Sequence, residues 1–167
     1  MISIIIPTYN NINYLKLCLK SLNKNSKFDH EIIFHVNDGS DGTISYIKQS
    51  GYKYTYSESN IGLCSAINKA SKLATKKYLL YSHDDMYFCP EWDNVLMNEI
   101  KLLKNTEFYL SGTMIEPKSG HIIYNFGETI ENFREDDLLS KYKNINFYDH
   151  QGTHFAPHLV SLEMWNK

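Results

Sequence analysis

Ile2-Ser3-Ile4-Ile5-Ile6-Pro7-Thr8-Tyr9-Asn10 opens the chain with a nearly continuous apolar run that gives way to polar residues after Pro7. Unbroken β-branched character over so short a span marks a strand covered on both faces, because a strand with one wet face alternates. Proline has no N–H for a ladder, so this strand is expected to stop at Pro7. Outward from it, Tyr14, Leu15, Leu17, Cys18 and Leu22 recur at helical spacing. Glu31 to Val36 is a second apolar run, closed by the turn residues Asn37-Asp38-Gly39-Ser40. Ser45 to Gln49 fits a short helix ended by Gly51, and Tyr52 to Tyr56 a third, aromatic strand. Leu63, Ala66, Ile67, Ala70 and Leu73 form an amphipathic helix, and Tyr78 to Tyr81 a fourth strand. Pro90 stands at a helix start, with Trp92, Val95, Leu96, Ile100 and Leu103 on its apolar face.

Four rounds of strand and helix imply an α/β fold, a mostly parallel sheet with right-handed crossovers and helices on both faces. After residue 104 the pattern changes. Glu107 to Ile115 and His121 to Phe126 read as a hairpin around Lys118-Ser119-Gly120, and Asn132 to Tyr142 as a helix. Ile145 to Tyr148 and His158 to Leu162 read as short strands. Residues 1–104 and 105–167 are therefore taken as two parts of one domain. The chain stops at Lys167 inside what reads as a new helix, leaving Leu162 and Trp165 with no later partner, so the second part is expected to be incomplete.

The 167 residues carry a net charge of −2 with 43% hydrophobic content, which suits one domain with a real core and no nucleic-acid partner. No apolar run approaches the roughly 20 residues that span a bilayer, and no basic start precedes Ile4 to Ile6 as a signal peptide requires. Cys18, Cys64 and Cys89 lack metal-type spacing and read as reduced, buried or half-buried thiols. A cytoplasmic location follows, with peripheral attachment to a membrane and oligomerisation both left open.

Ligands of an open parallel sheet sit outside the carboxyl ends of its strands. Those four junctions here are Pro7-Thr8-Tyr9-Asn10, Asn37-Asp38-Gly39-Ser40, Asn60-Ile61-Gly62 and His83-Asp84-Asp85. Two acidic clusters on one edge repel unless a cation or donors compensate. Adjacent carboxylates suit a hard divalent ion that keeps positions open for water or phosphate and can neutralise a diphosphate leaving group. A solvated Asp-Asp turn is the plainer alternative.

These blocks, taken in order and extended by Asp41-Gly42-Thr43, Ala66, Asn68, Pro90 and Trp92, resemble the family 2 glycosyltransferases of the GT-A fold. The resemblance covers residues 2–104 and continues more weakly through Gly152-Thr153 and Ala156-Pro157-His158-Leu159-Val160 to Trp165. It implies a Rossmann-like GT-A domain with a small acceptor-side β/α part. It also implies metal-dependent transfer of a sugar from a nucleoside-diphosphate sugar, of UDP type, to a glycan, lipid or protein acceptor, with inversion. Pro7, Thr8 and Tyr9 would line the base pocket, Tyr9 offering its ring for stacking. Asp38 would accept the imide N–H of a uracil-like base, and Asn60 would join the nucleotide contacts. Asp84 would face the ribose or the metal, and Asp85 would be the principal ligand of a Mn2+ or Mg2+ beside the diphosphate.

Three departures accompany the resemblance. Asn37 stands where many members carry an aspartate, and His83 where the first acid of an Asp-x-Asp motif often lies; a hydrogen-bonded role suits His83 better than a ligand's. The general base of inverting members would lie beyond Lys167, so this chain is expected to bind donor and turn over poorly. His150, His154 and His158 are spaced by four, but Gly152 and Pro157 break any helix, leaving His158 as a further metal candidate. Arg134 and Glu135-Asp136-Asp137 read as a solvated helix face. A nucleotidyltransferase is disfavoured because Thr8-Tyr9-Asn10-Asn11 lacks a Gly-rich phosphate loop and a basic residue. A non-catalytic nucleotide-binding or assembly module of a larger protein is the alternative from another class.

Overall fold

The computed structural model describes residues 1–103, 105, 107–145 and 156–167. Its elements in chain order are β1 (Ile2–Tyr9), α1 (Ile12–Asn25), β2 (Glu31–Asn37), α2 (Thr43–Ser50), β3 (Lys53–Ser57), α3 (Leu63–Ser71), β4 (Tyr78–Tyr81) and α4 (Trp92–Leu102). There follow β5 (Tyr109–Ser111), β6 (Ile115–Glu116), β7 (Ile122–Ile123), α5 (Glu135–Lys141) with a 3-10 turn at Tyr142–Asn144, β8 (His158–Ser161) and α6 (Leu162–Trp165). The main sheet has six strands in the order β3-β2-β1-β4-β8-β5. β1 to β4 pair in parallel, and β8 runs antiparallel between β4 and β5.

β1 lies between two parallel neighbours, which is why its residues from Ile2 to Thr8 are all buried. Alternate side chains feed two layers. Ile2, Ile4 and Ile6 join Phe34, Val36 and Leu80 against Leu15, Cys18, Leu19 and Leu22 of α1 and Leu96 and Ile100 of α4. Ile5, Ile33, Leu79 and Val160 meet Ile67 and Ala70 of α3 on the other face. The i, i+3, i+4, i+7 spacing in α1 is the stripe that lets one helix cover one face.

The first strand does not stop at Pro7; it runs on to Tyr9. Ile5 O accepts from Ser82 N–H on the β4 side, so the like-oriented Pro7 would also turn its missing N–H toward β4. β1 and β4 pair only as far as Ile5 and Tyr81, so no ladder bond is lost at Pro7. The helix expected from Pro90 begins at Trp92, because Glu91 adopts φ 65 and gives its N–H to Asn25 O.

The second part departs further from expectation. Tyr109–Ser111 joins the main sheet as its edge strand. β6 and β7 pair in parallel rather than as a hairpin, with Gly120 at φ 113 where a Cβ would stand 3.1 Å from Met114 O. Leu162 and Trp165 pack back on earlier residues, against the layer formed by Ile5, Ile33 and Leu79. Glu135, on the helix face expected to be solvated, stays partly exposed but is tied to the rest of the fold: Lys20 and Lys24 of α1 reach it at 3.4 Å and the Tyr87 hydroxyl donates to it at 2.8 Å. All three cysteines are free, and Cys64 is exposed rather than buried. His150, His154, Gly152-Thr153 and most of the strand expected at Ile145 to Tyr148 lie outside the described residues. No helix among the described residues is long and apolar enough to cross a membrane.

Candidate functional site

The carboxyl ends of β1, β2 and β4 and the start of α3 border one crevice of about 330 Å³. Pro7, Thr8, Tyr9, Asn10 and Asn11 line it from the first strand, Asn37 from the second, Asn60 and Leu63 from the loop and helix beyond the third, and His83 and Asp84 from the fourth. Short parallel strands bring these junctions side by side because neighbours lie only about 4.8 Å apart.

Backbone strain collects here. Asn10 and Asp38 have φ 47 and 60, a left-handed region that non-glycine residues seldom enter and in which asparagine and aspartate are least penalised. The two brace each other: Asn10 Nδ2 donates to Asp38 Oδ2 at 2.9 Å and to Ser40 Oγ at 3.3 Å. Asp38 gives its own N–H to Ser57 O at 2.8 Å, tying the β2 turn to the end of β3. Gly39 follows at φ 76, where a Cβ would meet Val36 Cγ1 at 2.8 Å, so the turn requires glycine. The amide of Asn10 and the N–H and hydroxyl of Ser40 hold the Asp38 carboxyl below its usual range.

The fourth junction is anchored from below. Ser82 N–H reaches Ile5 O at 3.0 Å, and the buried Cys18 thiol lies 3.8 Å from His83 O. Burial pushes the Asp84 carboxyl up, against the Thr8 hydroxyl and the Asn11 amide, whose Nδ2 donates to Asp84 Oδ1 at 3.1 Å. Its charge is therefore only partly compensated by the protein. Asp85 is exposed, next to Asp84 but outside the crevice lining. His83 Nε2 pairs with the Tyr81 hydroxyl, so this ring has a hydrogen-bonded role.

Of the residues expected in the site, Pro7, Thr8, Tyr9, Asn60 and Asp84 come together in the crevice. Asp38 adjoins it through Asn10. His158 stands opposite Tyr81 across the β4–β8 ladder, its ring centroid 5.9 Å from that of Tyr81 and 4.8 Å from that of Tyr109. Among the described residues no group of three His, Cys, Asp or Glu side chains is placed to hold a metal ion. Two adjacent carboxylates nevertheless fit a hard cation that draws its remaining oxygens from water and a bound phosphate. Asn10, Asn37 and His83, which the strand-end junctions contain without an assigned binding role, also line the crevice, as do Asn11 and Leu63, which lie outside those junctions. Their positions beside the expected ones at strand ends are the signal that marks them.

Glycosyl transferase family 2 matches this chain over residues 3–158. An uncharacterized glycosyltransferase of Rickettsia prowazekii is 36% identical over 133 residues, covering 74% of this chain and 40% of that protein. The chain spans 19% to 40% of the length of the curated relatives it matches. S. aureus TarS shares the fold with a TM-score of 0.67 at 20% identity, over 99% of this chain and 48% of that one. TarS has also been solved in complex with UDP-GlcNAc. The mannosyltransferase PcManGT from Pyrobaculum calidifontis, solved with GDP-Man and Mn2+, shares it with a TM-score of 0.56 at 18% identity, over 70% and 36% of the two chains. The match extends across every residue that lines the strand-end crevice and most of the sheet beneath it, and on it this chain belongs to glycosyl transferase family 2.

Proposed function

We propose that the strand-end crevice binds the nucleotide of a nucleoside-diphosphate sugar, of UDP type, and that the protein transfers the sugar to a glycan, lipid or protein acceptor with inversion. Residues 1–104 would supply the nucleotide-sugar half and residues 105–167 the acceptor-facing part of the same domain. The observation that carries this reading is the pair of consecutive asparagines that brace two carboxylates from different strands, Asn10 on Asp38 and Asn11 on Asp84, around one opening. Along that edge Tyr9 offers a ring to a base, Asp38 an acceptor for its imide N–H, and Asp84 and Asp85 a place for the diphosphate and its counter-ion.

A Mn2+ or Mg2+ ion held by Asp85 and Asp84 would supply charge neutralisation of the departing diphosphate. Burial makes the Asp84 charge unfavourable when alone, which is the setting in which a cation is welcome. Tyr9, Asp38 and the crevice walls orient the nucleotide, so that the acceptor oxygen reaches the anomeric carbon from the face opposite the leaving diphosphate. The family membership and the UDP-GlcNAc and Mn2+ complexes of two fold relatives support the donor and ion classes.

Titration calorimetry with UDP, with and without Mn2+, tests the reading. UDP is expected to bind more tightly with Mn2+, and Asp85→Ala to remove that gain while leaving the fold intact. A wild-type protein whose UDP affinity ignores Mn2+, or an Asp85→Ala variant that keeps the full gain, would show that the cation site is elsewhere.

A further inference from the structure

Leu63 is an anomaly in an otherwise polar opening. It is the first residue of α3, it is 49% exposed, and it lines the same crevice as Tyr9, which is 51% exposed. Two large half-exposed side chains facing one concavity leave apolar surface in water at a place where every other lining group beyond Pro7 is polar.

The loop that delivers Leu63 is held firmly. Asn37 Oδ1, buried at the end of β2, accepts from Ile61 N–H at 3.0 Å, and Asn60 Oδ1 accepts from Gly62 N–H at 2.9 Å. Gly62 then turns at φ 81, a value that suits glycine, to start the helix. α3 packs on β1 and β2, so its first residue is presented beside the carboxyl ends of those two strands. The Asn37 side chain, which departs from the aspartate of the family resemblance, is thereby committed to fixing the loop that carries Leu63.

We infer that Leu63 is the second jaw of a base clamp, closing on one face of a planar nucleobase whose other face stacks on the Tyr9 ring. Stacking on an aromatic ring accepts any base, and an aliphatic jaw adds dispersion and dehydration without a hydrogen-bond requirement. The clamp therefore supplies affinity for the base as a class, and the choice between bases is left to the Asp38 carboxylate and its neighbours. This inference rests on the nucleotide reading above and deepens it.

The test uses the full chain, with UDP and inorganic pyrophosphate as probes in the presence of Mg2+. Leu63 is exposed, so its replacement spares the core. Leu63→Ala is expected to weaken UDP about tenfold, to leave pyrophosphate unchanged, and Leu63→Met to restore UDP binding to within about twofold of the wild type. In protein carrying labelled leucine methyls, the resonance lost in Leu63→Ala should show contacts to the base protons H5 and H6 of bound UDP. Unchanged UDP affinity in Leu63→Ala, or methyl contacts that reach only the ribose, overturns the clamp and leaves the nucleotide reading standing. A wild-type protein that binds no UDP overturns both.

Discussion

At the amino edge of the sheet Glu31 accepts from Lys53 Nζ, Ser3 Oγ, Thr75 N–H and Thr75 Oγ1, and Asp93 accepts from Lys27 N–H, Phe28 N–H and His30 Nε2. At the carboxyl edge, Asp84 accepts from the Asn11 amide beside the Thr8 hydroxyl, and Asn10 Oδ1 is buried with no partner among the described residues. Glu31 and Asp84 are carboxylates in opposite states, whereas Asp38, at the same carboxyl edge as Asp84, is well supplied with donors. Burial alone would raise the Glu31 carboxyl, but its four donors bring it down to about 2; at Asp84 burial prevails and the carboxyl is raised. A saturated carboxylate ties strands and loops together, whereas an undersupplied one retains binding capacity at the expense of stability. The contrast between Glu31 and Asp84 fits the proposal that the amino edge holds the fold and the crevice at the carboxyl edge takes the nucleotide.

The largest expected effect is at Asp93, which is fully buried and bonded to two backbone N–H groups and His30. Asp93→Ala leaves those donors unpaired and is expected to cost about 3 kcal/mol of stability by urea unfolding. The folded fraction should keep its UDP affinity; a selective loss of binding would erase the division between the edges. Next comes Glu31→Gln, expected to cost about 2 kcal/mol at pH 7. Because the folded carboxyl titrates at about 2, below its unfolded value near 4.3, the stabilisation is complete above the unfolded value and disappears as pH falls through 2. The wild-type advantage should therefore shrink between roughly pH 4 and pH 2, and a pH-independent gap would mean that shape rather than charge is at work.

The smallest effect on stability, and the sharpest for the comparison, is at Asp84. Its raised carboxyl means that the charged form costs stability at neutral pH and that the cost is relieved as pH falls below its folded value. Asp84→Asn should then leave thermal stability at pH 7 unchanged or raise it by up to about 1 kcal/mol, while Mn2+-dependent UDP binding is lost. A destabilisation as large as that of Glu31→Gln would place Asp84 among the structural carboxylates and break the contrast.

Much of the first hundred residues was legible from local pattern. β4 falls where the apolar run Tyr78–Tyr81 put it, and β2 and β3 lie within one residue of their expected ends. Buried parallel strands and amphipathic helices write themselves in composition and spacing, and Gly51 and Asn37-Asp38-Gly39-Ser40 punctuate them. Later elements were harder because short strands carry little signal. Nothing local says that Tyr109–Ser111 becomes the sheet edge with β8 inserted beside β4, or that Ile115–Glu116 and Ile122–Ile123 pair in parallel. The ties of Glu135 are illegible locally for the same reason: its partners Lys20, Lys24 and Tyr87 are 48 or more residues away.

By itself the sequence determined the alternation of strand and helix, the parallel sheet, and the set of polar junctions at its carboxyl edge, since each depends on side chains close together along the chain. Only the tertiary structure decided that β1 continues through Pro7, which required β4 to end where it does. It alone decided that Asn10 and Asn11 hold Asp38 and Asp84, and that Leu63 and Tyr9 line one crevice. The physical reason is range: helical and strand periodicity is a property of neighbours in sequence, whereas the supply of donors to a buried carboxylate depends on segments as far apart as Asn11 and Asp84.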